Sequence, residues 1–68
     1  MANSLKMTRH LAGLSQYEVG RRSGISQPLV SNLERGHLRP SQELKLRLAD
    51  ALGVPADVLF PEAGDEDR

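Results

Sequence analysis

The sequence predicts an all-α fold, a bundle of five short helices, and three observations support this prediction. Apolar residues recur at the three- and four-residue spacing of amphipathic helices. Serines, which cap helix N-termini, precede four of the helical segments at Ser4, Ser15, Ser26 and Ser41. Glycines, which end helices or allow turns between them, follow at Gly13, Gly24, Gly36 and Gly53.

Size and composition restrict both the fold and the function. A chain of 68 residues has room for one domain with a small core. The absence of cysteine rules out disulfides and a cysteine-ligated zinc site. No apolar run reaches the ~20 residues of a membrane-spanning helix, and the start, MANSLKMTRH, lacks the apolar segment of a signal peptide. We therefore expect a cytoplasmic location.

Charge is distributed unevenly along the chain, although the formal net charge is zero. Residues 1–47 contain eight basic and three acidic residues, whereas residues 48–68 contain one basic and six acidic residues. Because a phosphate backbone responds to local potential, the basic segment favours a nucleic-acid partner. We expect one helical domain over residues 1–60 and an acidic, disordered tail over residues 61–68.

The first helix is predicted over residues 4–12, between the cap at Ser4 and the glycine that follows. Residues 1–3 have no evident partner and are expected to fray. The helical period then predicts the inward-facing positions of this helix, which are Leu5, Thr8 and either Leu11 or Ala12.

The second helix is predicted over residues 16–23 and begins with a capping box. Ser15 can accept a hydrogen bond from the backbone three residues later, where Glu18 can reach back to the backbone of Ser15. Gly20 weakens the interior of this helix by roughly 1 kcal/mol relative to alanine. A glycine at that position indicates close approach of the next helix.

The third helix begins after Ser26, ends at Gly36 and has two chemically different sides. Steps of about 100° per residue place an apolar arc at Leu29, Val30 and Leu33. The opposite arc is polar and consists of Gln27, Pro28, Ser31, Asn32 and Arg35. A narrow polar face of this kind is typical of helices that read base edges in a DNA groove, although an ordinary solvated face has the same pattern.

Two further helical segments are predicted, over residues 42–52 and 55–60. Leu46 lies off the apolar stripe of the fourth helix and is expected to be exposed. The two histidines are far apart in the sequence and no metal-binding, phosphate-binding or nucleophile motif is present. We therefore expect no catalytic activity, no metal and no cofactor.

The ordered set of these motifs resembles the phage-repressor and Cro-type helix-turn-helix family, also called the XRE family. The resemblance covers about residues 4–60, and the matching residues are Arg9, Gly13-Leu14-Ser15-Gln16, Val19, Gly24-Ile25-Ser26-Gln27, Val30-Ser31, Leu33-Glu34-Arg35-Gly36, Pro40-Ser41, Leu48-Ala49 and Leu52-Gly53-Val54. It implies a lambda-repressor-like fold in which the helix-turn-helix is formed by helices 2 and 3.

The resemblance also implies a role for each matching site residue. The base-reading positions of the third helix are Gln27, Pro28, Ser31 and Asn32. The residues expected at DNA phosphates are Gln16, Tyr17, Arg35, His37 and Arg39. Arg9 and Glu34 match a structural ion pair between the first and third helices. The chain departs from the family at Gly20, where alanine is usual, and at Pro28, where a polar residue is common.

The expected function is sequence-specific binding of double-stranded DNA as a transcriptional regulator. Repression is favoured over activation because so small a domain can occlude a promoter without recruiting another protein. One helix reads few base pairs, so we expect a homodimer on an inverted-repeat operator, with a dimer patch at Leu46, Leu59 and Phe60. Two alternatives stay open: a protein-interaction module such as an antitoxin, and the DNA-binding part of a larger regulator.

Overall fold

The computed structural model describes residues 3–61, which form five α-helices and no strand. The helices are α1 (Leu5–Leu11), α2 (Gln16–Ser23), α3 (Gln27–Glu34), α4 (Gln42–Leu52) and α5 (Ala56–Leu59). The all-α prediction is confirmed, and the predicted bounds of the second and fourth helices agree with α2 and α4. The acidic tail predicted after residue 61 lies outside the described residues. Within residues 3–61, no helix has the length and apolar character needed to cross a membrane.

Three of the four predicted serine caps are present. Ser15 accepts from the backbone N–H of Glu18 at 3.0 Å, and the Glu18 carboxylate accepts from the backbone N–H of Ser15 at 3.0 Å, which completes the capping box. Ser26 and Ser41 cap α3 and α4 with a single hydrogen bond each, in which the hydroxyl accepts from the backbone N–H three residues later. Each cap satisfies a backbone N–H that the helix itself leaves without a partner.

The start of α1 differs from the prediction. Ser4 does not cap the helix, because its hydroxyl donates instead to the backbone oxygen of Val58. Asn3 takes the capping role, since its Oδ1 accepts from the backbone N–H of Leu5 at 3.0 Å. The backbone N–H of Ser4 also donates to the backbone oxygen of Leu59 at 3.1 Å. The start of α1 is thus fixed against α5, and Asn3 does not fray.

The turn between α2 and α3 requires two glycines for different reasons. Gly24 ends α2 with a φ of 79°, in the left-handed region that glycine enters at little cost. Gly20 provides space, because a Cβ at this position would lie 2.6 Å from the backbone oxygen of Ile25. The close approach predicted from Gly20 is therefore present, and it brings the turn and the first residue of α3 against α2.

The core lies between the helices, with α3 and α4 packed on α2, α1 on α3 and α5 on α4. Most of the buried side chains are aliphatic, as the shortage of aromatic residues requires. The buried apolar residues are Leu5, Val19, Val30, Leu33, Leu48, Ala49, Leu59 and Phe60.

Two predictions about burial are wrong. Leu11 is 82% exposed, because it lies about 240° around α1 from the buried Leu5. Ala12 is also exposed, since α1 ends before it and the chain turns away. Leu59 and Phe60 are buried, at 0% and 3% exposed, so they cannot form the predicted dimer patch. A domain this small needs its large apolar side chains for its own core.

Candidate nucleic-acid interface

The polar arc predicted on α3 lies on the surface of the molecule. Gln27 and Pro28, in the first turn, are exposed, and Ser31 and Asn32 are half-buried. The opposite side of α3 is held in the core, where Val30 is completely buried. Pro28 fits the first turn of the helix because the backbone N–H that it lacks would have no helical partner there. The fold thus presents all four predicted base-reading residues on one helix.

Two glutamine side chains connect the start of α3 to its end. Gln27 donates from Nε2 to Oε1 of Gln16 at 2.8 Å. Gln16 in turn donates from Nε2 to Oε1 of Glu34 at 3.0 Å. The amide of Gln16 therefore lies alongside α3 and restricts the orientation of Gln27.

The hydrogen-bonded series from Gln27 through Gln16 to Glu34 ends in a buried ion pair between α1 and α3. Nε of Arg9 lies 2.5 Å from Oε2 of Glu34, and Nη2 of Arg9 donates to Oε1 of Glu34 at 3.2 Å. The Arg9 and Glu34 side chains are only 9% and 3% exposed. Nη1 of Arg9 also donates to the backbone oxygen of Leu14 at 3.0 Å. The pair implied by the family resemblance is present, and its two parallel bonds give a bidentate geometry.

The environment of Glu34 favours its ionised form. Burial alone would raise the pKa of this carboxyl. Hydrogen bonds from Arg9 and Gln16, together with the positive charges of Arg9 and Lys6, outweigh burial and hold the pKa of Glu34 below its ordinary value of 4.5. Glu34 is thus a stable acceptor for Gln16 near neutral pH.

The end of α3 is held by a contact that the sequence patterns do not predict. Nδ2 of Asn3 donates to the backbone oxygen of Leu33 at 2.9 Å, while Oδ1 of the same side chain caps α1. One amide therefore ties the start of α1 to the last turn of α3. The only signal in the sequence is that Asn3 and Ser4 are both good capping residues, which does not say which of them caps.

Arg35 lies just after α3, and its side chain runs back along the helix. Nη2 of Arg35 donates to Oγ of Ser31 at 2.8 Å. The Arg35 side chain is exposed, and the two ion pairs found within residues 3–61 do not include it. The guanidinium group therefore lies beside the polar arc of α3.

The other predicted phosphate contacts lie on two segments next to α3. Tyr17 is 64% exposed and follows Gln16 at the start of α2. His37 and Arg39 are exposed in the loop between α3 and α4, where the backbone N–H of His37 donates to the backbone oxygen of Asn32 at 2.9 Å. No group of three potential metal ligands occurs within residues 3–61.

Comparison with known proteins agrees with this arrangement. A family model described as helix-turn-helix matches residues 5–59. The chain belongs to this helix-turn-helix family. The match includes all five helices, and it covers every residue of the polar arc on α3.

Relatives of this helix-turn-helix chain occur in bacteria and archaea. An uncharacterised HTH-type transcriptional regulator of Mycobacterium tuberculosis is 38% identical over 60 residues, covering 88% of this chain. The chain spans 43% of the length of that relative. An uncharacterised HTH-type transcriptional regulator of Methanocaldococcus jannaschii is 32% identical over 66 residues, which cover 97% of this chain and the whole of that protein.

Two solved structures share the helix-turn-helix fold. The restriction-modification controller protein C.AhdI of Aeromonas hydrophila has a TM-score of 0.79 and 36% identity, with 82% of this chain and 85% of that chain covered. The clp gene regulator ClgR of C. glutamicum has the same TM-score of 0.79 and 29% identity, with 96% of this chain and 84% of that chain covered. The lambda-repressor-like fold predicted from the sequence is thereby confirmed.

Proposed function

We propose that the chain binds double-stranded DNA in a sequence-specific manner, with α3 as a recognition helix in the major groove. The observation that supports this most is the hydrogen-bonded series Gln27–Gln16–Glu34–Arg9. It orients a polar side chain at the exposed start of α3. A side chain that must pair with one base edge needs such support, whereas a solvated surface glutamine does not.

The chemistry of Gln27 suits adenine. One N–H of its amide is donated to Gln16, and the second remains available for N7 of adenine. Its Oε1 can accept from the N6 amino group, which gives a bidentate pair. Ser31 and Asn32 contribute further polar groups on the same face, and Pro28 offers an apolar contact for a thymine methyl group.

We assign the contacts to the DNA backbone to residues beside α3. Gln16 has a second amide N–H that is free to donate to a phosphate. Tyr17, His37 and Arg39 are exposed near the two ends of α3 and supply further donors. Contacts of this kind fix the position of a protein on DNA without reading sequence.

Useful specificity requires two copies of the domain, so we propose a homodimer on an inverted repeat. Its half-sites would lie roughly 34 Å, or one helical turn of DNA, apart. Leu46 on α4 and Val58 on α5 are 55% and 46% exposed, and α4 packs against α5. The proposed dimer patch therefore keeps Leu46 and has Val58 in place of the buried Leu59 and Phe60.

The proposed consequence of binding is transcriptional repression, because the bound protein would occlude a promoter. We propose that this binding takes place in the cytoplasm. Two proteins of the same fold are named a controller protein and a gene regulator, which supports a regulatory role. The chain would supply the DNA-binding step, whether alone or within a longer protein.

Selection of bound sequences from a random duplex library, at near-physiological salt, tests the proposal. We expect enrichment of an inverted repeat, whose spacing also reports the dimer geometry. Binding without enrichment would leave a purely electrostatic DNA binder. Absence of binding would contradict the proposal and favour a protein partner instead.

A further inference from the structure

We infer that Arg35 reads a guanine in the major groove, in addition to the four residues already placed on the base-reading face. The inference rests on the proposed function and names one base of the preferred site. It differs from the family resemblance, which implies a phosphate contact for Arg35.

Arg35 lies on the polar side of α3 around the helix axis. Arg35 caps the C-terminus of α3 with φ of −85° and ψ of −3°, which continues the helical direction of the chain. With Gln27 at 0° and steps of about 100°, Ser31 falls near 40°, Arg35 near 80° and Asn32 near 140°. Arg35 thus extends from the middle of the base-reading arc.

The Arg35 side chain is directed back along α3. Nη2 of Arg35 donates to Oγ of Ser31 at 2.8 Å, one helical turn towards the start of α3. Side chains of a helix lean towards its N-terminus, and one turn corresponds to about 5.4 Å. The guanidinium group therefore lies beside Ser31, within the proposed base-reading arc of α3.

Most of the hydrogen-bond donors of the Arg35 guanidinium group remain available for a ligand. A guanidinium group has five N–H donors in a planar fork, and one of them is used by Ser31. Within residues 3–61, no carboxylate lies within ion-pair distance of Arg35. Two neighbouring N–H groups can therefore be offered together to one partner.

Guanine matches this donor set better than any other base. Its major-groove edge presents two acceptors, O6 and N7, and the bidentate pair with arginine is the commonest specific contact to DNA. Adenine presents an amino group at the equivalent position, which would oppose an arginine N–H. Ser31 orients the guanidinium without neutralising its charge, so it acts as a positioning residue for Arg35.

The geometry also predicts where the guanine lies. Ser31 is four residues after Gln27, which corresponds to about 6 Å along the helix. Successive base pairs are about 3.4 Å apart. We therefore expect the guanine roughly two base pairs from the adenine that Gln27 reads.

The test compares sequence selection by the full chain and by three variants, Arg35→Lys, Arg35→Ala and Ser31→Ala, after circular dichroism has shown that each is folded. Arg35→Lys keeps the charge but loses the planar fork. We expect Arg35→Lys to weaken the preference for guanine at one position in each half-site and to keep the salt dependence. Arg35→Ala should lose that preference by roughly tenfold or more, and both variants should keep the adenine preference. Ser31→Ala should weaken the same preference to a smaller extent.

A second measurement uses the enriched duplex with 7-deazaguanine at that position, which removes the N7 acceptor. The wild-type chain should lose affinity several-fold, and Arg35→Ala, which has no donor for N7, should lose nothing further. Equal losses for both proteins would overturn the inference. The inference would also be overturned if Arg35→Lys kept the base preference of the wild type and Arg35→Ala weakened binding to all duplexes alike. Failure of the wild type to enrich any site would instead contradict the proposed function itself.

Discussion

The side-chain amide of Gln27 donates a 2.8 Å hydrogen bond to the side-chain oxygen of Gln16. Gln16 itself donates to Glu34 at 3.0 Å, so the orientation of the first residue of α3 depends on a residue of α2. The buried ion pair between Glu34 and Arg9 connects this contact to the core. The polar arc of α3 and the core are therefore parts of one hydrogen-bonded network.

The Gln16–Gln27 bond predicts that the two residues act together in DNA binding. Gln27→Ala should cost about 1–3 kcal/mol on the enriched site and relax preference at one base pair. Gln16→Ala should relax the same preference, because Gln27 loses its support. Binding titrations of both single variants and the double variant should give a coupling of about 0.5 kcal/mol or more. Additive losses would show that Gln27 reads its base without help from Gln16.

The Arg9–Glu34 pair predicts a large effect on stability without DNA. Glu34→Gln leaves the guanidinium of Arg9 buried without its counter-charge, and we expect a loss of about 2–3 kcal/mol in the free energy of unfolding. In a domain of this size, that corresponds to a fall in Tm of roughly 10–20 °C. Thermal unfolding followed by circular dichroism measures it.

A matched control is available on α4. Arg47 and Glu43 form an ion pair at 3.1 Å in which the two side chains are 49% and 74% exposed. Glu43→Gln should change the free energy of unfolding by less than about 1 kcal/mol, because exposed pairs contribute little. Equal effects of Glu34→Gln and Glu43→Gln would mean that burial does not strengthen the Arg9–Glu34 pair.

The lowered pKa of Glu34 predicts a specific loss of stability in acid. A carboxyl with a folded-state pKa below its unfolded value stabilises the fold at pH values above the unfolded value. This stabilisation disappears as the pH falls below the ordinary value of 4.5 and through the folded-state pKa. The Tm difference between wild type and Glu34→Gln should therefore be constant near neutral pH and shrink in acid. A Tm difference that grows on acidification would mean that folding raises the pKa of Glu34 instead of lowering it.

The helices that were predictable from sequence are those with local boundary signals. The capping box at Ser15 and Glu18 fixes the start of α2 from residues three apart, and Ser41 with Gly53 brackets α4 in the same way. Such signals depend only on residues that are neighbours in the sequence, so they can be recognised without knowledge of the tertiary structure.

The features that were not predictable depend on contacts between distant elements. Asn3 caps α1 in place of Ser4 because Leu33 and Val58 offer acceptors to these two side chains. The burial of Phe60 depends on how α5 lies against α4. At the candidate site, the polar arc of α3 was predictable from the helical period, whereas the direction of the Arg35 side chain required the structure.

The exposed loop after α3 predicts a contact that contributes affinity but not specificity. Arg39→Ala should weaken binding to specific and random duplexes alike, and should lower the slope of the logarithm of affinity against the logarithm of salt concentration by about one. Gln27→Ala is the matched comparison, because it removes no charge and should leave that slope unchanged. Fluorescence anisotropy over a salt series measures both. A selective loss on the enriched site after Arg39→Ala would instead make Arg39 a base-reading residue.

The space at Gly20 predicts that alanine is unfavourable there, although alanine stabilises a helix interior by roughly 1 kcal/mol relative to glycine. An added Cβ would lie 2.6 Å from the backbone oxygen of Ile25, so α3 must move away from α2. Overpacking of this kind costs typically 1–3 kcal/mol, and we expect a net destabilisation of about 1 kcal/mol in thermal unfolding. Arg21→Ala, an exposed site on the same helix, is the control and should not be destabilising. An increase in Tm for Gly20→Ala would mean that the turn before α3 can move at little cost, and that α3 is less rigidly placed than its contacts indicate.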